Sequence, residues 1–296
     1  MIKQGHLSGF VSIIGSPNVG KSTLLNSLIG QKISIVSERA QTTRNRILGV
    51  LTRDGYQIVF MDTPGITVPR NRLGEYMLKT SYDALNEVDA ILFMTDAAAG
   101  IREKDEAIIE KLKTVKAPVI AAVNKTDIAS ALSVQTCEKR LSSEPFIRNI
   151  VKTSARDGSG LEELVGLIRS LLPEGPLYFP EDMVTDRPER LICSELIREK
   201  ALEYLREEVP HGVGVETEKI EYREKITDVF AVIYCERESH KGILIGKRGS
   251  MLGLIGAEAR KEMERMFGTK VNLQLRVKVK EGWRNNVSAL KEMGYE

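Results

Sequence analysis

The stretch GSPNVGKS, residues 15–22, sets two glycines around four residues and closes on lysine and serine. It follows the apolar run GFVSIIG and opens the helical pattern STLLNSLIG, the context in which this spacing holds a polyphosphate. Backbone N–H groups of such a loop, with the helix N-terminus behind them, point inward at phosphate oxygens. The expected phosphate-binding run is Gly15, Ser16, Pro17, Asn18, Val19, Gly20, Lys21, Ser22 and Thr23. Within it Lys21 neutralises the β- and γ-phosphates, and the Ser22 hydroxyl is a ligand for Mg²⁺. Glycine turns before helices are common without any ligand. The lysine, the hydroxyl and the flanking strand and helix favour phosphate here.

Four further stretches say which nucleotide. MDTPG, residues 61–65, ends an apolar run. It puts Asp62 where it holds Mg²⁺ through water and Gly65 where its N–H senses a γ-phosphate, with Thr63, Pro64 and Ile66 completing the loop. NKTD, residues 124–127, ends another run. A carboxylate at Asp127 accepts two hydrogen bonds from guanine, from N1–H and the 2-amino group, whereas adenine offers no such pair and leaves the carboxylate unpaired. A site of this kind rejects the analogue by about 10⁴-fold. Asn124, Lys125 and Thr126 belong to the same loop, and TSA, residues 153–155, brings Ser154 and Ala155 to the base and its O6. Between the first helix and the next strand lies AQTTRNR, residues 40–46, with Gln41, Thr42, Thr43, Arg44 and Asn45 in the place of a switch loop. Thr42 and Thr43 both qualify by chemistry as the Mg²⁺ ligand, and Thr43 joins Lys21 and Gly65 as the expected catalytic set. GSPNVGKS, MDTPG, NKTD and TSA, in order and each at the C-terminal end of a strand, imply a GTP-hydrolysing site.

The elements that must position these loops are legible in the periodicity. From residue 8 to about 172, apolar runs (YQIVFMD, AILFMTD, APVIAAVN, NIVKTSA) alternate with helical patterns such as EKDEAIIEKLKTV and GLEELVGLIRSLL. This order predicts an α/β fold, a mostly parallel six-stranded sheet covered on both faces. Asp54-Gly55 joins two strand-like runs as a hairpin and predicts one antiparallel edge strand. Residues 172–190 hold four of the ten prolines and read as a linker. After them come a helix, two strands, a helix–turn–helix and a strand in which Val271, Leu273, Leu275, Val277 and Val279 share one face. The expected divisions are 1–172, 173–189 and 190–296.

Composition bounds the rest. At 296 residues, 42% hydrophobic and 28% charged, the chain is an ordinary globular protein of two domains. No run approaches the roughly 20 apolar residues that cross a bilayer, and the opening MIKQGHLSGFVSIIG carries no cleavable signal pattern. Cys137, Cys193 and Cys235 lie far apart, which argues against a disulfide framework or a zinc site and for a reducing cytoplasm. The net charge of +2 hides an asymmetry. Lys+Arg against Asp+Glu is 6 to 11 over residues 181–219 and 15 to 11 over residues 220–296. The basic C-terminal stretch fits a polyanion partner.

With QTTR, DTPG and NKTD the chain resembles the Era branch of the translation-factor-type GTPases, bacterial enzymes that assist small ribosomal subunit assembly. The likeness continues through ELIREKAL, EEVPHGVGVE, IGKRGSML and LRVKVKEGWRNN, which resemble the type II KH RNA-binding domain of that branch, and so covers essentially the whole chain. It implies that GILIGKRGSML, residues 242–252, holds RNA rather than a second nucleotide. Two glycines let backbone approach backbone, with basic residues between them. The implied RNA-binding residues are Ile245, Gly246, Lys247, Arg248 and Gly249, with Ile243, Ile245 and Leu252 as an apolar floor for bases. The implied target is the 3′ end of 16S ribosomal RNA in the 30S subunit, bound under the control of GTP or GDP. The chain departs from the pattern at Gly253 and Leu254, where relatives carry lysines, which reduces phosphate contacts there. Ile66 stands where many related GTPases have a water-orienting glutamine, so slow turnover is implied. Asn18 resembles cation-dependent relatives and implies K⁺ as a second cation. A monomer with at most peripheral contact at the inner face of the cell membrane is expected. A constitutive RNA-binding module and a membrane-surface GTPase are the alternatives. Trp283, Leu290, Met293 and Tyr295 in the closing stretch read as packing residues.

Overall fold

The computed structural model describes residues 6–295 apart from 38, 40, 41, 67, 70, 86 and 87. They form two compact units. One is made of residues up to Ser34, Thr43–Val68 and Met77–Asp186; the other is made of Ile35–Thr42, Pro69–Tyr76 and residues from Arg187 onward.

In the first unit the elements run β1 (Leu7–Gly15), α1 (Lys21–Ile29), β2 (Ile47–Arg53), β3 (Tyr56–Asp62), α2 (Arg72–Asp83, which begins in the second unit), β4 (Ala90–Asp96), α3 (Glu103–Leu112), β5 (Val119–Asn124), α4 (Ala131–Ser142), β6 (Ile147–Lys152) and α5 (Leu161–Arg169). The sheet order is β2-β3-β1-β4-β5-β6, parallel throughout except that β2 runs antiparallel to β3 at the edge. The hairpin turns at Gly55, whose φ of 79° suits a residue without Cβ. Neighbouring residues feed opposite faces, as a two-residue period requires. Ile13, Leu92 and Met94 join α1 and α5 in one core, while Ile14, Ile91 and Phe93 join α3 and α4 in the other. The near-continuous apolar runs are therefore strands covered on both sides. Helix α4, which the periodicity does not announce, starts where Ser130 Oγ accepts from the Ser133 N–H at 3.1 Å and buries only Val134, Cys137 and Leu141. That narrow stripe is why its periodicity is weak. The proline-rich stretch expected to be a linker packs on this unit up to Asp186: Val50 N–H donates to the Val184 carbonyl, Thr185 Oγ1 donates to the Leu48 carbonyl, and Gln57 Oε1 accepts from Tyr178 and Phe179.

The second unit carries α6 (Glu189–Tyr204), β7 (Gly214–Tyr222), β8 (Ile226–Cys235), α7 (Glu238–Ile245), α8 (Ser250–Phe267), β9 (Lys270–Val279) and α9 (Val287–Glu292). Its sheet is β7-β8-β9, with β7 antiparallel and β9 parallel to β8. Helices α6 and α8 bury Leu196, Ile197, Ala201, Ile255, Ala259 and Met263 in one core with Val229, Ala231 and Ile233 of β8. The expected face of β9 turns inward. Trp283 is fully buried and donates from Nε1 to the Gly212 carbonyl at 2.9 Å, and Leu290, Met293 and Tyr295 are buried beside it, as packing residues should be. Among the described residues no helix is long and apolar enough to cross a membrane.

Candidate functional site

At the C-terminal edge of the six-stranded sheet the loop from Gly15 to Gly20 joins β1 to α1. Its close approach to its neighbours needs glycine: a Cβ on Gly20, already at φ 103°, would lie 2.4 Å from Asn124 Nδ2. Lys21 is buried and donates from Nζ to the carbonyls of Gly15 (2.9 Å) and Ser16 (3.1 Å). Burial pulls its pKa down to about 8, against the opposing pull of the Asp62 carboxylate. The ammonium is held in place by two neutral carbonyl oxygens.

Beside it several oxygens converge. Ser22 Oγ donates to Asp62 Oδ2 at 2.7 Å and lies 2.9 Å from Thr43 Oγ1, and Ser34 Oγ donates to Asp62 Oδ2 at 3.0 Å. The donor set is all oxygen with one carboxylate, which fits a hard, incompletely protein-ligated ion such as Mg²⁺ rather than a soft metal. Of the two threonines, Thr43 faces this cluster, while Thr42 Oγ1 donates to the Arg39 carbonyl at 2.6 Å. Arg44 is buried, Asn45 is half-buried, and Gln41 lies outside the described residues. In the next loop Thr63 Oγ1 donates to the Ile13 carbonyl and the Pro64 carbonyl accepts from Ser81 Oγ. Gly65 passes so near Pro17 that a Cβ would meet it at 2.9 Å, and Ile66 is half-buried against the apolar core.

Asn124 ties the base loops to the phosphate loop. Its Nδ2 donates to the Val19 carbonyl at 2.8 Å, and its Oδ1 accepts from the Ala155 N–H at 3.0 Å and from Thr153 Oγ1 at 3.2 Å. Ser154 Oγ donates to Asp127 Oδ1 at 3.0 Å, which fixes the rotation of that carboxylate. Thr126 closes on the Thr153 carbonyl, and Lys125 pairs with Asp96 at 2.7 Å. Among the described residues the non-glycines at positive φ are Asn18, Lys125, Glu207 and Arg248; all but Glu207 lie in the expected ligand loops, where strained backbone tends to collect.

In the second unit Ile245 ends α7 and the turn from Gly246 (φ 71°) to Gly249 (φ 80°) leads into α8. Lys247 and Arg248 are exposed at its tip. A groove of about 390 Å³ runs from this turn between α8 and β9, with Leu252, Leu273 and Leu275 as apolar lining, Arg260 and Asn272 as polar lining, and Gly253 and Gly256 keeping it open. Ile243 and Ile245, expected in the floor, belong to α7 and do not line it; β9 supplies Leu273 and Leu275 instead. Asn26, Ser34, Asp96, Arg260 and Asn272 carry no motif of their own, and only the fold brings them to these sites.

A family model described as 50S ribosome-binding GTPase matches residues 10–125, and a KH domain model matches residues 208–284. GTPase Era of Caldicellulosiruptor saccharolyticus is 53% identical over 97% of both chains, and GTPase Era of Clostridioides difficile is 50% identical over 97% of this chain and 98% of its own. The chain belongs to the Era family of GTPases. Its two units are a P-loop GTPase domain with a six-stranded sheet and a KH domain, and it is a GTP-hydrolysing enzyme. A solved structure of Era in complex with MgGDPNP and nucleotides 1506–1542 of 16S ribosomal RNA is 43% identical, covers 98% of this chain and 99% of its own, and superposes with a TM-score of 0.94. A single-residue variant of Aquifex aeolicus Era bound to GDP·AlF₄⁻ matches with a TM-score of 0.93 at the same identity.

Proposed function

We propose that this Era-family GTPase binds the 3′-terminal region of 16S ribosomal RNA with the turn at residues 246–249 and its groove, under the control of GTP or GDP, and so assists 30S subunit assembly. The observation that carries this reading is the open basic turn at the mouth of a part-apolar groove, in a chain whose other glycine loop already has the enclosed lysine and oxygen cluster of a nucleotide site. The relative crystallised with a 16S fragment supports the same target. The nucleotide site lies in residues 1–172 and the RNA site in residues 190–296.

In the nucleotide site Lys21 leaves the Gly15 and Ser16 carbonyls for the β- and γ-phosphates, and the Gly65 N–H faces the γ-phosphate. Ser22 and Thr43 would ligate Mg²⁺ and Asp62 would hold it through water; the ion, when bound, would supply positive charge against the phosphate oxygens. Asp127, oriented by Ser154, reads guanine. Ile66 has no polar group with which to orient water, so turnover stays near the unassisted scale of about 10⁻⁴ to 10⁻³ s⁻¹. Asn18 places K⁺ beside the phosphates; equal rates in KCl and NaCl, or an indifferent Asn18→Ala variant, would remove it from that role. The protein acts as a cytoplasmic monomer, and contact with the inner membrane face is peripheral and secondary.

The test is titration of the protein, loaded with GDPNP or with GDP, against an RNA of nucleotides 1506–1542 and against an unrelated RNA of equal length. A preference for the 16S fragment that differs between the nucleotide states by about tenfold is expected. Equal affinity for both RNAs would sink the proposed target.

A further inference from the structure

The segment Ile35–Thr42 leaves the oxygen cluster of the first unit at Ser34 and returns to it at Thr43. Both ends are tied there. Ser34 bonds Asp62 at 3.0 Å and is fixed by Asn26, whose Oδ1 accepts from the Ser34 N–H at 2.9 Å and whose Nδ2 donates to the Ser34 carbonyl at 2.7 Å. Thr43 lies 2.9 Å from Ser22. Between these ends the segment belongs to the second unit, and α6 holds it. The Val36 N–H donates to Glu199 Oε1 at 3.0 Å, the Arg39 guanidinium donates to the carbonyl of Leu205 at the end of α6, and the Arg198 guanidinium donates to the Thr42 carbonyl.

Arg198 is fully buried, and its Nε donates to Glu195 Oε1 at 2.9 Å. A buried pair of this kind roughly breaks even on stability, because desolvation offsets the Coulomb attraction. Apolar side chains would fill the space as well, so the charge calls for another explanation, and the Thr42 carbonyl offers one. Thr42 and Thr43 share a rigid peptide plane. A nucleotide state that moves the Thr43 backbone along with its hydroxyl must therefore carry the Thr42 carbonyl with it or break its bond to Arg198. On its other side α6 shares a core with α8 through Ile197, Ala201, Ile255 and Ala259, and α8 opens directly from the Gly246–Gly249 turn.

We propose that Arg198, supported by Glu195 and Glu199, is a positioning residue that couples the state of the nucleotide site to the RNA groove through the Thr42 carbonyl. This deepens the function proposed above and rests on its claim that GTP and GDP set RNA affinity. A clasp of this kind is reciprocal: RNA in the groove biases Thr43 as strongly as the nucleotide biases the groove.

The measurement is the ratio of affinities of the full-length protein for an RNA of nucleotides 1506–1542 in GDPNP and in GDP. A wild-type ratio within about 5 to 150 is expected. Arg198→Met should bring it to within about twofold of unity while GDP affinity, read without RNA, changes by less than about threefold. Arg198→Lys keeps the charge and loses the fork, so its ratio should be intermediate. Arg39→Ala cuts the same clasp from the loop side without touching the core of α6, and should lower the ratio by a smaller factor even if Arg198→Met does not fold. A wild-type ratio of unity defeats nucleotide control of RNA binding and the clasp with it. A wild-type ratio that persists in a folded Arg198→Met, or in Arg39→Ala where Arg198→Met is unfolded, overturns the clasp alone.

Discussion

The turns at residues 15–22 and 246–249, each proposed above to meet phosphate, are both glycine steps that open a helix, and they place their cations differently. Lys21 is buried, bonded to two carbonyls and lowered in pKa; Lys247 and Arg248 stand in solvent. Around the first turn, a Cβ on Gly20 would collide with Asn124 and one on Gly65 with Pro17, both distant in the chain; at the second turn a Cβ on Gly249 would meet open space and one on Gly246 only its own neighbours Ser250 and Met251. An enclosed cation has one partner to find, the terminal phosphates of a single small molecule, and is worth more there because water is absent. An exposed pair on a groove rim can follow the backbone of a polymer whose next residues are held elsewhere, at an energy that salt erodes. On the proposed function the same local device, a glycine turn before a helix, serves as a nucleotide pocket or a nucleic-acid rim according to what encloses it.

Breaking the enclosed site should have the larger effects. Asp127→Asn replaces an acceptor of two guanine hydrogen bonds with an amide that suits the 2-oxo group of xanthine, so the preference for GTP over XTP should fall by about 10⁴-fold in competition binding. An unchanged preference would take Asp127 out of base recognition. Lys21→Ala should lower kcat/KM for GTP by about 10³-fold and leave RNA affinity of the nucleotide-free protein unchanged. At the open turn, Lys247→Asp combined with Arg248→Asp should weaken RNA binding by about 10²-fold and flatten its salt slope by about 0.7 for each phosphate no longer neutralised. GTP binding and basal hydrolysis should survive. Their loss in a folded double variant would mean that the second turn serves the nucleotide, and the contrast between the two turns would collapse.

The smallest effect sharpens the contrast by pH. Burial depresses the Lys21 pKa from 10.5 to about 8, so the cost of holding it charged is fully present below pH 8. That cost is relieved as pH rises from about 8 to 10.5, and the nucleotide-free protein gains stability across that window. Phosphate favours the charged form, so binding above pH 8 should take up a proton and weaken by up to about tenfold per pH unit. Calorimetry of GDP binding in buffers of different ionisation enthalpy reads the proton directly.

Much of this protein is determined by its sequence alone. Apolar runs that mostly alternate with helices satisfy their backbone and bury both faces as a covered sheet, and Asp54-Gly55 joins two of the runs in a hairpin at its edge. Short-range chemistry made the loops legible too: Lys21, Ser22, Asp62, Asn124, Asp127 and the Gly246–Gly249 step lie in contiguous motifs whose spacing is their function. What required the tertiary structure was every choice between equivalent neighbours and every partner distant in the chain. Thr42 and Thr43 are chemically identical, and only the path of the backbone turns one toward Ser22 and the other toward Arg39. Ile245 looked as apolar as Leu275, but α7 carries the first away from the groove that β9 lines with the second. Arg198 reads as one more charge on an amphipathic helix, because Glu195 at i−3 does not reveal that a carbonyl 156 positions earlier also accepts from its guanidinium. Periodicity and motif report what a residue does with its near neighbours along the chain; contacts between residues far apart in sequence are fixed only when the core closes.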